Sequence, residues 1–409
     1  MRPDGTVVIA GAGQGDFQTA ASLRDGGHAG PVVFIGDETG LPYQRPPLSK
    51  GFLQGNTAGT ELRGRSFYER RGIELRHGRA AAIDRAARRV RLADGSTLAY
   101  DHLVLATGAR NRTPPISGTA LDGLLQLRTR AEAERLRARL SAVSQVSVIG
   151  AGFIGMEVAA AAVKAGATVT VVEPLGRPMA RSLSAVTSAY VAELHRSHGA
   201  RLLLGSSAVR LHGGRDGAVE GVELDDSSRV RADLVIAGVG VAPATELAAD
   251  AGLKVGDGIR VDAFLTTSDP DVSALGDCAD FPSVHAGAAI RLESVQNAVD
   301  QARCVAARLT GTPAPYEALP WFWTEQFSAK LQIAGLGRDH DRTTVLGAPA
   351  TDAFSVLRFK NGRLTCVESV NAPGDHIAAR RVLASGNTPC PGEAAEDGFS
   401  LRDWAAHAT

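Results

Sequence analysis

Val146-Ser-Val-Ile149-Gly150-Ala-Gly152-Phe-Ile-Gly155 decides the fold. A short apolar run reads as a buried strand, the glycines give the G-x-G-x-x-G spacing, and an Ala-rich helical run follows to about Gly166. The first glycine makes the tight turn, the second lets a pyrophosphate approach the backbone, and the third lets helix pack on strand. Phosphates then lie at the positive end of the helix. The next strand, Val169-Thr-Val-Val172, ends at Glu173. An acid there can bind a ribose 2′-hydroxyl and repel a 2′-phosphate, which favours NADH over NADPH. Arg177 and Arg181 nearby leave that preference open.

The same plan stands earlier in the chain. Thr6-Val-Val-Ile-Ala10 leads through Gly11-Ala-Gly13 into a helix stopped by Gly26-Gly27, and Val32-Val-Phe-Ile35 is the next strand, followed by Asp37 and Glu38 as ribose candidates. The third glycine position holds Asp16, with Gly15 one residue early. A helix dipole favours a carboxylate in the first turn, but that carboxylate would oppose a pyrophosphate. Its side chain is therefore expected to point away, or the helix to sit differently.

The echo continues in Asp101-His-Leu-Val-Leu-Ala-Thr-Gly108 and Asp233-Leu-Val-Ile-Ala-Gly-Val-Gly240, each preceded by a strand and an Asp-containing turn. Two copies of a dinucleotide-binding unit, each with a small antiparallel insertion, explain this order. Ser268 to Asp277 reads as a closing strand returning to the first copy. From about Pro320 a Trp-rich loop, the turns Asn361-Gly362 and Ala372-Pro373 and alternating runs predict a smaller α+β domain. Thr312-Pro-Ala-Pro315 reads as a linker. The last ~20 residues are expected to be loosely ordered. The fold class is thus α/β: two Rossmann-like dinucleotide-binding domains plus a smaller C-terminal α+β domain.

Composition narrows the function. The 409 residues carry 44 basic and 44 acidic side chains, so no basic excess argues for nucleic acid. No apolar run reaches the ~20 residues of a membrane helix, and no secretory pattern opens the chain, so a cytoplasmic protein is expected. Cys278, Cys304, Cys366 and Cys390 form no CxxC or metal-ligand cluster, which argues against a redox disulfide, an iron–sulfur site or any other metal. The histidines are scattered; His195 and His198 read as a helix end before Gly199.

Tyr43-Gln-Arg-Pro-Pro-Leu-Ser-Lys50, Leu103-Val-Leu-Ala-Thr-Gly108, Ala274-Leu-Gly-Asp277, Glu293-Ser-Val-Gln-Asn297 and Pro320-Trp-Phe-Trp323 together resemble the NADH-dependent ferredoxin reductases of the putidaredoxin-reductase and biphenyl-dioxygenase type. The resemblance covers nearly the whole chain in order. It implies an FAD domain of residues 1–109 and 239–318, an NAD domain of 110–238, and a C-terminal interface domain of 319–409. Gly11, Gly13 and Asp37 or Glu38 would hold the ADP half of FAD, Arg45 would face its pyrophosphate, and Asp277 would bond the ribityl chain. Thr107, Gly108, Gly240 and Val295 join the cofactor residues on the same resemblance. Lys50 would lie near the reactive edge of the flavin, paired with Glu157, and Trp323 would place an indole near the isoalloxazine.

The implied activity moves electrons from NADH through FAD to a 2Fe–2S ferredoxin serving an oxygenase, either a haem monooxygenase or a ring-hydroxylating dioxygenase. Rubredoxin as acceptor and an interaction role like that of apoptosis-inducing factor are the alternatives. A monomer and a weak homodimer both fit. A dithiol reductase or a cysteine-dependent oxidase would need a cysteine where Arg45 to Lys50 stand.

Overall fold

In the computed structural model, which describes residues 4–56 and 59–407, two parallel sheets share the order of four strands and differ in where the edge strand comes from in the chain. The first runs Val272–Ala274, His102–Leu105, Val7–Ala10, Val32–Gly36, Ile73–His77. The second runs Leu124–Leu125, Leu234–Ala237, Gln145–Ile149, Thr168–Glu173, Arg201–Leu204. Ala10 pairs Ile35 as Ile149 pairs Val172, so the two glycine turns leave their sheets at equivalent positions. The central strands are buried on both faces, which explains their unbroken Val, Ile and Leu runs.

The repeated aspartates have a structural reason. Asp101 accepts the Thr6 amide at 2.7 Å and Asp233 accepts the Gln145 amide at 2.9 Å. Each ties the start of one strand, His102–Leu105 or Leu234–Ala237, to the start of its central neighbour, Val7–Ala10 or Gln145–Ile149. Each copy also carries a three-stranded antiparallel insertion, Ala80–Asp84 with Arg89–Leu92 and Thr97–Ala99, and Ala208–Gly213 with Val219–Leu224 and Arg229–Arg231. The edge strand beside His102–Leu105 is Val272–Ala274, the expected closing strand.

Packing divides the chain into two units: Met1–Gln44 with Gly59–Arg110 and Ala242–Pro320, and Arg45–Ala58 with Asn111–Val241 and Trp321–Thr409. The segment Arg45–Ala58, which the expected boundaries place within 1–109, packs with the second unit. Its side chains bond Glu157 and the Arg128 carbonyl there. The C-terminal strands belong to that unit too.

Those strands form an antiparallel sheet in the order Trp321–Gln326, Ala329–Gly335, Arg363–Val370, Ala353–Lys360, Arg342–Ala348. Asn361 and Gly362 both take positive φ, as a two-residue hairpin turn of this hand requires. Pro373 opens the helix Pro373–Ser385, a position where its missing N–H costs nothing. The described residues up to His407 correct the expectation of loose order, and Ala408 and Thr409 lie outside them. Helix Leu401–His407 buries Leu401 and Ala405, and Arg402 pairs with Asp375 at 2.8 Å. Two buried apolar side chains and an ion pair hold it.

Candidate functional site

The second glycine turn has the geometry its sequence requires. Gly150 takes φ +100°, and a Cβ there would fall 2.6 Å from the Gly238 carbonyl. A Cβ on Gly155 would fall 2.0 Å from the Gly150 carbonyl, so only glycine lets helix Phe153–Lys164 start this close to the strand. Glu173 is buried and reaches back into the turn, accepting Ala151 N–H at 2.7 Å and Leu175 N–H at 3.0 Å. Arg177 points elsewhere, donating to the carbonyls of Ala180 at 2.9 Å and Leu183 at 2.7 Å. Arg181 is exposed.

The first turn leaves its sheet identically, Gly11 N–H bonding Ile35 O at 2.8 Å as Gly150 N–H bonds Val172 O at 2.8 Å. Two features then differ. Gly36 stands where Glu173 stands in the second copy, and a Cβ on it would meet the Ala12 Cβ at 2.4 Å. The acids follow one and two residues later: Asp37 is exposed, and Glu38 accepts the Tyr43 hydroxyl. Asp16 is buried and does not point away; its Oδ2 accepts Gly13 N–H at 2.8 Å. Of the two expectations for this residue, the outward side chain is the one corrected. A carboxylate at this helical position reaches an amide that has no partner within the helix, and the bond compensates its burial.

Three elements of the second unit converge on Glu157. The carboxylate lies in helix Phe153–Lys164, its side chain 2% exposed, with Lys50 Nζ 2.8 Å from Oε1. Lys50 follows the short helix Pro46–Ser49, where two prolines fix the backbone, and Ser49 Oγ donates to Oε2. From strand Trp321–Gln326, Thr324 Oγ1 donates to Oε1 at 2.6 Å. A buried carboxylate thus meets one cation and two hydroxyls, which burial of a charge demands. The pairing of Lys50 with Glu157 was expected from resemblance alone. The parts of Ser49, a hydroxyl within the Tyr43–Lys50 motif, and of Thr324, the residue after Trp323, were not. Glu325 faces outward and pairs with Lys330 at 3.7 Å.

The remaining sequence candidates divide between the units. Thr107 Oγ1 donates to Ala244 O at 2.7 Å, and Gly108 O accepts Ala244 N–H at 2.9 Å. Asp277 is half-buried in the short helix Gly276–Cys278, and Val295 opens helix Val295–Leu309, whose cap Ser294 accepts Asn297 N–H at 3.1 Å. In the second unit Arg45 donates to Arg128 O at 2.8 Å, Gly240 takes φ +93°, and half-buried Trp323 lies 5.6 Å from Trp321, ring to ring.

All four cysteines are free thiols. Burial pushes the Cys278, Cys304 and Cys366 thiols up, so none of these three is poised as a thiolate. Among the described residues no cluster of His, Cys, Asp and Glu could hold a metal ion, and no helix is long and apolar enough to cross a membrane.

The residues present fit two dinucleotides, with one discord. The second turn is an open glycine cradle whose Ala151 amide donates to Glu173; the first is a glycine turn with a carboxylate inside it. Fold and site define an oxidoreductase that uses FAD and a nicotinamide dinucleotide. A family model described as pyridine nucleotide-disulphide oxidoreductase matches residues 5–302, and one described as reductase C-terminal matches 321–405. The chain is 48% identical over 400 residues to rhodocoxin reductase of Rhodococcus erythropolis, a match covering 97% of this chain and 93% of the other. Among solved structures, the ferredoxin reductase for the CYP199A2 system from Rhodopseudomonas palustris superposes with a TM-score of 0.96 at 46% identity, covering 98% of this chain and 99% of that one. The covalent putidaredoxin reductase–putidaredoxin complex gives 0.95 at 37% identity, covering 99% of each chain. The chain belongs to the pyridine nucleotide-disulphide oxidoreductase family and carries the reductase C-terminal module.

Proposed function

We propose that this protein takes electrons from NADH, by way of bound FAD, and delivers them singly to a 2Fe–2S ferredoxin that serves an oxygenase. The carrying observation is what occupies the segment where related reductases would need a reactive cysteine. Ser49 and Lys50 stand there, bonded to Glu157. With no thiol to receive electrons, they must leave to a separate acceptor. The names of the similar proteins, reductases of ferredoxins, agree with a protein acceptor.

Residues 1–109 and 239–318 form the FAD domain in this reading, 110–238 the NAD domain and 319–409 the interface domain. Gly11, Gly13, Asp37 or Glu38, Arg45, Thr107, Gly108, Asp277 and Val295 would hold FAD. The flavin supplies the exchange between two-electron and one-electron chemistry. Gly150, Gly152 and Gly155 receive the NADH pyrophosphate and Glu173 its adenosine ribose. With Arg177 committed to backbone carbonyls, it is not poised to attract a 2′-phosphate. Lys50 and Glu157 form a fixed charge pair that orients the reacting ring, and Trp323 shields it. Charge on the docking face sets encounter rate with the acceptor.

The test is NADH oxidation under anaerobic conditions, with and without an oxidised 2Fe–2S ferredoxin. Turnover that depends on the ferredoxin supports the reading. Turnover with rubredoxin alone would move the activity to that acceptor, and turnover with neither would leave an interaction role.

A further inference from the structure

The two glycine turns serve as controls for each other, and at one position they part. At the third position of the second turn, a Cβ on Gly155 would overlap the Gly150 carbonyl at 2.0 Å. At the matching position the first turn carries Asp16, whose Cβ is present, and Gly11 sits at φ +143° where Gly150 sits at +100°. The turn has opened to admit the side chain. Gly15, one residue earlier, makes a different close approach: a Cβ on it would fall 2.5 Å from the side chain of Leu275, at Cδ1.

The carboxylate so admitted folds inward. Asp16 is 1% exposed, its Oδ2 accepts Gly13 N–H at 2.8 Å, and its Oδ1 lies 2.3 Å from where a Gly11 Cβ would be. Gly13 is the second glycine, whose amide a dinucleotide pyrophosphate approaches. The Asp16 carboxyl already uses the amide that a bound pyrophosphate would approach, at the same helix end.

We propose that Asp16 is an internal competitor for the flavin pyrophosphate, so that this chain binds FAD more weakly than it would with glycine at the same position. The inference rests on reading the first turn as the FAD site. To bind, the phosphates must displace the carboxylate from Gly13 or share the helix end with it. Either route sets like charges together or breaks a charge-assisted hydrogen bond.

The test is fluorescence titration of FAD into flavin-stripped full-length protein, comparing the wild type with Asp16→Gly and Asp16→Asn. Asp16→Gly is expected to lower the FAD dissociation constant roughly tenfold to a hundredfold, the worth of one hydrogen bond to a charged group. Asp16→Asn, which keeps the shape and removes the charge, should fall between. The flavin-free Asp16→Gly protein should melt below the flavin-free wild type, because the helix has lost its first-turn carboxylate. Equal or weaker FAD binding by a folded Asp16→Gly would overturn the proposal. If that variant does not fold, Asp16→Asn decides by the same comparison. No FAD binding by any of the proteins would overturn the proposal together with the reading of the first turn.

Discussion

Glu157 and Lys50 lie 107 residues apart in sequence and 2.8 Å apart in space, and both belong to the same packed unit. The glutamate is buried and the lysine mostly so. Glu157→Gln keeps an acceptor for one of the Ser49 and Thr324 hydroxyls, offers the other an amide donor to accept from, and leaves the lysine without its counter-charge. The expected result is a loss of about tenfold or more in the rate of flavin bleaching by NADH, as misplaced reacting groups cost. Flavin content should be unchanged. An unaltered bleaching rate in stopped flow would reduce the pair to a structural contact.

Glu173→Gln should weaken NADH binding by roughly tenfold, since hydrogen bonds to charged groups contribute about 1.5–3 kcal/mol. NADPH should lose less, because the repulsion of its 2′-phosphate falls away. Comparing kcat/KM for the two nucleotides measures this. An unchanged ratio would remove Glu173 from the ribose site.

Glu368 and Arg358 form a second buried pair, 2.8 Å apart, and Glu368 also receives both Ser184 N–H at 2.8 Å and Ser184 Oγ at 2.7 Å. The pair fastens the N-terminus of helix Ala185–Ser197 to the C-terminal sheet. Glu368→Ala strands the arginine and should cost about 3–5 kcal/mol in urea unfolding, while apolar replacement of both partners should cost much less. Equal losses for the single and double variants would contradict this.

Acid should destabilise the fold through its histidines. Burial, the largest cause in each case, lowers His102 to about 3 and His195 and His376 to about 4 from the ordinary 6.5. The unfolded chain therefore takes up these protons first. Stability is complete above pH 6.5 and falls as pH drops through 6.5 toward 4, by up to about 1.4 kcal/mol per pH unit for each histidine. Melting temperature against pH checks this. His195→Gln, which can keep a bond to Gln326, should flatten the acid limb.

Much of this was legible in the sequence because it repeats. The glycine turns, the Asp101 and Asp233 echoes and the closing strand each follow from local pattern, and the parallel sheets follow from their order. The Lys50–Glu157 contact was not derivable from spacing, since it joins distant segments, and it was anticipated through resemblance. The convergence of the Ser49 and Thr324 hydroxyls on Glu157 was not foreseeable, because a hydroxyl carries no periodic signal that names its partner. Asp16 was visible as a departure, but the direction of its side chain depends on an opened turn that only coordinates reveal. The ordered tail, too, rests on tertiary burial of Leu401 and Ala405.

The most direct measurement is anaerobic stopped-flow absorbance of the flavin-loaded protein mixed first with NADH and then with oxidised 2Fe–2S ferredoxin. Rapid bleaching of the flavin band by NADH is expected, followed by its return as the ferredoxin is reduced. A flavin band that NADH does not bleach, or a bleached band that ferredoxin leaves unchanged, would contradict it.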